Sequence, residues 1–200
     1  VYKRQMDKSI IALGIESSCD ETSIGVIKVT RKDNILVSEK LGLVTLSQEK
    51  LHKGYGGIVP EIAARAHSER VDTCFKKVLK ENSITLDDID IICVTKGPGL
   101  IGGLISGTNF AKGLAFSTGK PLIGVNHLVG HALTPQMTDD LSYPYLLLLA
   151  SGGHCQYLAV LGANEIKRLG TTIDDAPGEV FDKVAKMLRL PIFSGSEVEK

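Results

Sequence analysis

Tryptophan does not occur in this 200-residue chain, and aromatic residues of all kinds make up only 5% of it. Cysteine is scarce as well. Cys19, Cys74, Cys93 and Cys155 are scattered and no two form a CxxC pair. That argues against a disulfide framework or a cysteine-based zinc site, and it fits a reducing compartment. Charge of one sign is not in excess, with 23 Lys and Arg against 23 Asp and Glu. Nothing in that balance suggests a polyanion binder, so any nucleic-acid contact has to come from a local patch or a partner. Long apolar runs are missing too. The stretch IIALGI near the N-terminus is too short for a transmembrane helix or a signal peptide, so it reads as a strand and no membrane association is expected.

Familiar catalytic signatures are also absent. The pair His127 and His131 in NHLVGH has Leu128 where a zincin of the HExxH type has its general-base Glu, which argues against a metalloprotease. No GxSxG elbow occurs and no cysteine has an evident histidine partner, so covalent catalysis has no candidate nucleophile. The segment GPGLIGG lacks the GK[ST] ending of a P-loop, and as a strand-to-helix connection it serves equally well for close packing.

What remains is a globular composition, 43% hydrophobic with 21 glycines, long enough for one large domain or two small lobes. Met6 would serve as a start, with VYKRQ before it, and GSEVEK falls in what reads as the middle of a lobe. Residues 10–15, 23–29 and 35–45 are strand candidates, the first two flanking the polar loop ESSCDET. After the glycine-rich turn HKGYGGIVP, Pro60 is placed to open a helix to about Asn82. A short buried strand at 91–95 leads through GPGLIGG to a helix over about 104–118. A strand at 121–125 follows, and the histidine pair opens a helix limited by Pro135. The opening theme then recurs. YLLLLASGGHCQYLAVL is strand, Gly/Ser loop, strand, with a third strand near 166–171 and a helix over about 176–188. Two copies of one pattern predict two related lobes with their loops facing each other. The first is expected at 1–142, with the ESSCDET loop and the histidine pair, and the second begins at 143–200, with the ASGGH loop.

A Gly/Ser/Thr loop between antiparallel strands offers N–H groups and hydroxyls to phosphate oxygens, and two such loops would clamp a nucleotide. Each alone is equally a tight hairpin turn. The carboxylates of SCDET suit a metal or a water beside a phosphate. Histidines four apart share a helix face and can share a metal ion, but two ligands do not make a site, and by themselves they read first as two ordinary histidines.

Taken together, LGIESSCDET, GGIVPEIAARAH, TKGPGLIGGL, NHLVGH, LLLLASGGH and TIDDAPGEVFDKVAK resemble, in family order over residues 13 to about 190, the tRNA N6-adenosine threonylcarbamoyltransferases. That family was formerly described as O-sialoglycoprotein endopeptidases. The resemblance implies an α/β protein of the actin-like, sugar-kinase-like ATPase fold, with duplicated ribonuclease H-like lobes, the second incomplete in this chain. It implies metal-assisted direct transfer of a threonylcarbamoyl group from threonylcarbamoyl-AMP to N6 of adenosine 37, in tRNAs reading codons that begin with adenine. By position, His127 and His131 match two ligands of a divalent metal, iron or zinc, with a third ligand expected beyond residue 200. Leu149, Ala150, Ser151, Gly152 and Gly153 match the second-lobe nucleotide loop, and Asp182 matches an acid that binds the nucleoside. Asp20 and Glu21 match acids of the first loop near the metal and phosphates, with a catalytic part. Leu149 resembles the bacterial and organellar branch rather than the archaeal one, which carries Tyr there. Expected partners are tRNA, a silent paralogue of the same fold and a small ATPase. The expected location is the cytoplasm of a bacterium, or a mitochondrion or plastid in a eukaryote.

The chain departs from the family pattern at two points within its length. Val129 stands where the family usually has Glu between the histidines, removing a polar neighbour of the metal site. IFSGS at 192–196 replaces the usual YPGGP and keeps only Gly195 of the glycine pair among the nucleotide contacts. Two other readings compete: an ATP-dependent small-molecule kinase or ATPase of the same fold, which has no use for the histidine pair, and a non-catalytic scaffold paralogue, which generally lacks it.

Overall fold

The computed structural model describes residues 9–32, 35–55, 57–139, 141–151, 153–190 and 195–199. In chain order the elements begin with strands β1 (Ser9–Glu16), β2 (Glu21–Lys32) and β3 (Ile35–Ser47). A four-residue helix α1 (Glu49–His52) and a 3-10 turn, Lys53–Tyr55, lead to the long helix α2 (Pro60–Glu81). Then come β4 (Ile91–Gly97), α3 (Ile101–Thr118), β5 (Leu122–Asn126), α4 (His127–Leu133) and α5 (Pro135–Thr138). The rest is β6 (Tyr145–Ala150), β7 (Cys155–Gly162), β8 (Glu165–Thr171), α6 (Pro177–Met187) and α7 (Gly195–Val198). The chain divides into two compact units, one of residues up to Leu51 with Ile58–His127, the other of His52–Gly57 with Leu128 onward.

The first unit is a five-stranded sheet in the order β3-β2-β1-β4-β5. β1, β2 and β3 form an antiparallel meander, while β4 and β5 add parallel strands beyond β1. Alternation explains the strands. Leu13 and Ile15 of β1 are buried, and the register sets them opposite Val26 and Ile24 of β2, so apolar side chains pair across one face. Against that face lies a cluster that adds Val44, Val71, Cys74, Val78, Ile89, Ile92, Val94 and Ala111. Burying side chains the size of Leu13 or Ile24 stabilises the unit by about 1.5–3 kcal/mol each.

Helix α2 begins with Pro60, whose missing N–H would have had no helical partner there. Its buried stripe, Ala63, Ala66, His67, Val71, Cys74 and Val78, follows helical spacing. Asn82 Nδ2 donates to the Val78 carbonyl at its end (2.7 Å). Helix α3 starts at Ile101, a turn before the expected position, because Gly102 and Gly103 belong to the helix rather than to the loop. It ends at Gly119, whose φ of 67° is the left-handed conformation glycine accepts most readily.

The second unit contains a three-stranded antiparallel sheet, β6-β7-β8, followed by α6. Strand order and polarity repeat those of β1, β2 and β3, so the duplicated theme seen in the sequence is present in the topology. Ala132, Leu149, Leu158 and Val160 form its core, with Leu128, Leu133, Tyr145, Leu147 and Ile166 packed around them. Among the described residues, no helix is long and apolar enough to cross a membrane.

Candidate functional site

Three adjacent parallel strands, β1, β4 and β5, end at the same edge of the first sheet. β1 ends in Glu16, Thr95 lies near the end of β4, and β5 hands over to His127. The ends of parallel strands are where α/β proteins gather functional groups. Here they gather around one carboxylate. The Ser18 backbone N–H donates to Glu16 Oε1 (2.6 Å) and the Thr95 hydroxyl donates to Glu16 Oε2 (2.5 Å). His127 Nδ1 lies 3.1 Å from that same Oε2 and 3.3 Å from Ser18 Oγ. Burial pushes the Glu16 carboxyl upward and is the largest single influence on it. The hydrogen bonds from Ser18, Thr95 and His127 together outweigh it and hold the group below its ordinary value. Glu16 is thus an anion at neutral pH. Sequence reading singled out Asp20 and Glu21 in this loop and passed over Glu16, Ser18 and Thr95. The available signal was the position of Glu16 as the last residue of a buried strand.

The loop itself is held rigidly. Ser17 and Ser18 are buried, the Ser17 hydroxyl donates to the Gly103 carbonyl (2.9 Å), and the Leu100 N–H donates to the Ser18 carbonyl (2.7 Å). Those approaches explain GPGLIGG. A Cβ on Gly103 would overlap the Ser17 carbonyl and come 2.9 Å from His67 Cδ2, and one on Gly102 would meet Ala64 Cβ at 2.6 Å. The glycines serve close packing, one of the two roles open from sequence. His67, fully buried, locks the loop from below. Its Nε2 donates to the Cys19 carbonyl (3.1 Å), so the Thr22 hydroxyl donates to its Nδ1 (2.8 Å). Burial pushes His67 below its ordinary value despite the Cys19 contact. Asp20 stands half-buried, its carbonyl accepting from the Gln48 N–H (3.0 Å), and Glu21 is the exposed first residue of β2. Desolvation and then the Asp20 charge push the Cys19 thiol up to about 11, which disfavours its thiolate at neutral pH. All four cysteines are free.

Helix α4 carries both histidines, His127 half-buried and His131 exposed. A separation of four turns them to one side of the helix. Val129, two residues after His127, is turned about 200° away around the helix.

In the second unit, Leu149 and Ala150 end β6. The Leu149 side chain is buried in the core, so it can reach a ligand at the loop only through its backbone. Ser151 closes the turn: its N–H donates to the His154 carbonyl (2.8 Å), and its Oγ accepts from the His154 N–H (3.1 Å). Gly152 lies outside the described residues. Among the described residues a Cβ on Gly153 would meet nothing within 4 Å. Asp182 is exposed on α6, beside Lys183, which ion-pairs with Asp175 (2.5 Å) and Glu179 (3.6 Å). Gly195 opens α7 against Phe181, with room for a Cβ only 3.2 Å from Phe181 Cβ, so α7 packs on α6 next to Asp182.

Among the described residues, no group of three or more His, Cys, Asp or Glu side chains is gathered to hold a metal ion. The donors on α4 are two imidazoles on one side of a helix. They fit iron or zinc as part of a ligand set but do not complete one.

Comparison with known proteins agrees with the motif pattern. The family model described as TsaD, tRNA N6-adenosine threonylcarbamoyltransferase, matches residues 39–200. Proteins of that name from Ruegeria sp. strain TM1040 and Ruegeria pomeroyi are each 55% identical over 194 residues, 97% of this chain and 52% of theirs. One from Cereibacter sphaeroides strain KD131 is 57% identical over the same shares. The chain spans about half the length of these curated relatives. Among solved structures it is similar to YeaZ from Pseudomonas aeruginosa, with TM-score 0.50 and 16% identity over 85% of this chain and 68% of that one. That likeness concerns the fold alone, and it agrees with the α/β arrangement described above. The chain belongs to the tRNA N6-adenosine threonylcarbamoyltransferase family.

Proposed function

We propose that this protein, at the full length of its relatives, transfers a threonylcarbamoyl group from threonylcarbamoyl-AMP to N6 of adenosine 37 in tRNAs reading codons that begin with adenine. The observation that carries the reading is the family match over residues 39–200, which takes in the histidine pair of α4 and the loop after β6. The donor is a mixed anhydride with a good leaving group and the acceptor amine is a weak nucleophile, so the work is positioning and polarisation rather than covalent catalysis. The raised Cys19 thiol accords with that. His127 and His131 would hold a divalent iron or zinc ion, with a third ligand from sequence beyond residue 200. When bound, the metal would act as a Lewis acid on the transferred carbonyl. Gly153 would let the nucleotide approach the backbone, and Asp182 would accept hydrogen bonds from the ribose hydroxyls. With no net charge on this chain, tRNA would be held largely through partners, a silent paralogue of the same fold and a small ATPase, in the bacterial cytoplasm.

Mass spectrometry of tRNA nucleosides after depletion of the full-length gene tests the reading. Threonylcarbamoyladenosine should fall and return when the wild-type gene is supplied. An unchanged level would refute it and leave a kinase-like ATPase of the same fold as the competing reading.

A further inference from the structure

We infer that Glu16 is the positioning residue of His127: its carboxylate holds Nδ1 of the ring, so that Nε2 is the atom presented to a metal ion. The inference rests on the metal reading of the histidine pair and goes beyond it, since Glu16 is neither a ligand in that reading nor one of the acids that the motifs single out.

The geometry leaves the carboxylate little choice. Oε1 accepts the Ser18 N–H (2.6 Å), and Oε2 accepts the Thr95 hydroxyl (2.5 Å). Ser18 is buried, and its carbonyl is pinned in turn by the Leu100 N–H (2.7 Å). Glu16 is therefore fixed from both sides before His127 is considered. Both carboxylate oxygens already act as acceptors, from the Ser18 N–H and the Thr95 hydroxyl, so the ring nitrogen 3.1 Å from Oε2 is placed as a further donor to it. That makes the neutral ring the Nδ1–H tautomer, with its lone pair on Nε2. A histidine ligand commonly has its other nitrogen tied to a carboxylate, which fixes ring orientation and raises the basicity of the ligating atom. Three neighbouring strands build this arrangement: β1 supplies Glu16, β4 supplies Thr95 and β5 delivers His127. His127 is thus aimed by the sheet, through contacts 79 to 111 residues apart in sequence.

The test uses the full-length protein in wild-type form and as Glu16→Ala, Glu16→Gln and His127→Ala. In metal-free samples, long-range nitrogen–proton NMR reads the tautomer of His127, its signal identified by its loss in His127→Ala. Cobalt(II) titration then reads affinity and the d–d spectrum. The wild type should show Nδ1–H. Glu16→Ala should mix the tautomers and weaken cobalt binding by about 10- to 100-fold. Glu16→Gln, which keeps one accepting oxygen, should fall between them and carries the test if the alanine variant does not fold. Unchanged tautomer and affinity in both variants would overturn the inference. So would a d–d spectrum showing one ligand fewer in Glu16→Gln, because Glu16 would then be a ligand itself. A wild type that binds no cobalt would sink the metal reading instead, and the tautomer measurement would still decide whether Glu16 orients the ring.

Discussion

His67 is a buried histidine with a structural role, joining α2 to the β1–β2 loop through the Cys19 carbonyl and the Thr22 hydroxyl. Burial depresses its folded value below the ordinary 6.5. The sign follows from linkage. The unfolded chain takes up the proton first as pH falls, so the contribution of His67 is fully present above about 6.5 and is lost as pH drops toward the folded value. Urea unfolding of the full-length protein at about pH 7.5 and 5.5 should show a loss of stability on acidification that shrinks in His67→Gln. An equal loss in both proteins would mean that His67 is not held neutral. At Gly153 the open space makes a different prediction. Gly153→Val should leave the fold unchanged, since its Cβ meets nothing within 4 Å among the described residues, yet weaken AMP binding by about tenfold or more in calorimetry. Unchanged affinity would remove the loop from the nucleotide site.

Helix α3 is the element whose docking sets up the first loop. Its N-terminal glycines lie against Ser17, His67 and Ala64, and the Ser17 hydroxyl bonds back to the Gly103 carbonyl. Gly103→Ala should therefore destabilise the protein by about 1–3 kcal/mol, the cost of forcing an extra carbon into a packed contact. Chemical denaturation would measure it, and a neutral effect would show that the helix can slide. The sequence alone pointed to glycine-rich packing here but started the helix one turn late. Paired glycines read as loop residues, and only the neighbouring elements reveal that they sit in a helix–helix and helix–loop contact. The short helices α1, α5 and α7 escaped notice for a simpler reason: four residues are too few to show a period. The strands and long helices were legible from alternation and helical spacing, because each buries one face.

At the scale of the whole molecule, the repeated strand–loop–strand theme was legible because the same alternation recurs, and it appears as two antiparallel meanders of the same order. The surroundings of His127 were not legible. Glu16 and His127 are 111 residues apart, and only the parallel pairing of β1, β4 and β5 brings their strand ends together. Nor could the spacing of His127 and His131 alone tell ligands from ordinary histidines, a point on which the family match bears more than the helix does. The most direct test is metal analysis by plasma mass spectrometry on the full-length protein and its His127→Ala/His131→Ala variant, alongside a tRNA threonylcarbamoylation assay. If the two imidazoles hold the metal, the folded variant loses bound metal and transfer together. Full metal occupancy in the double variant would contradict that assignment.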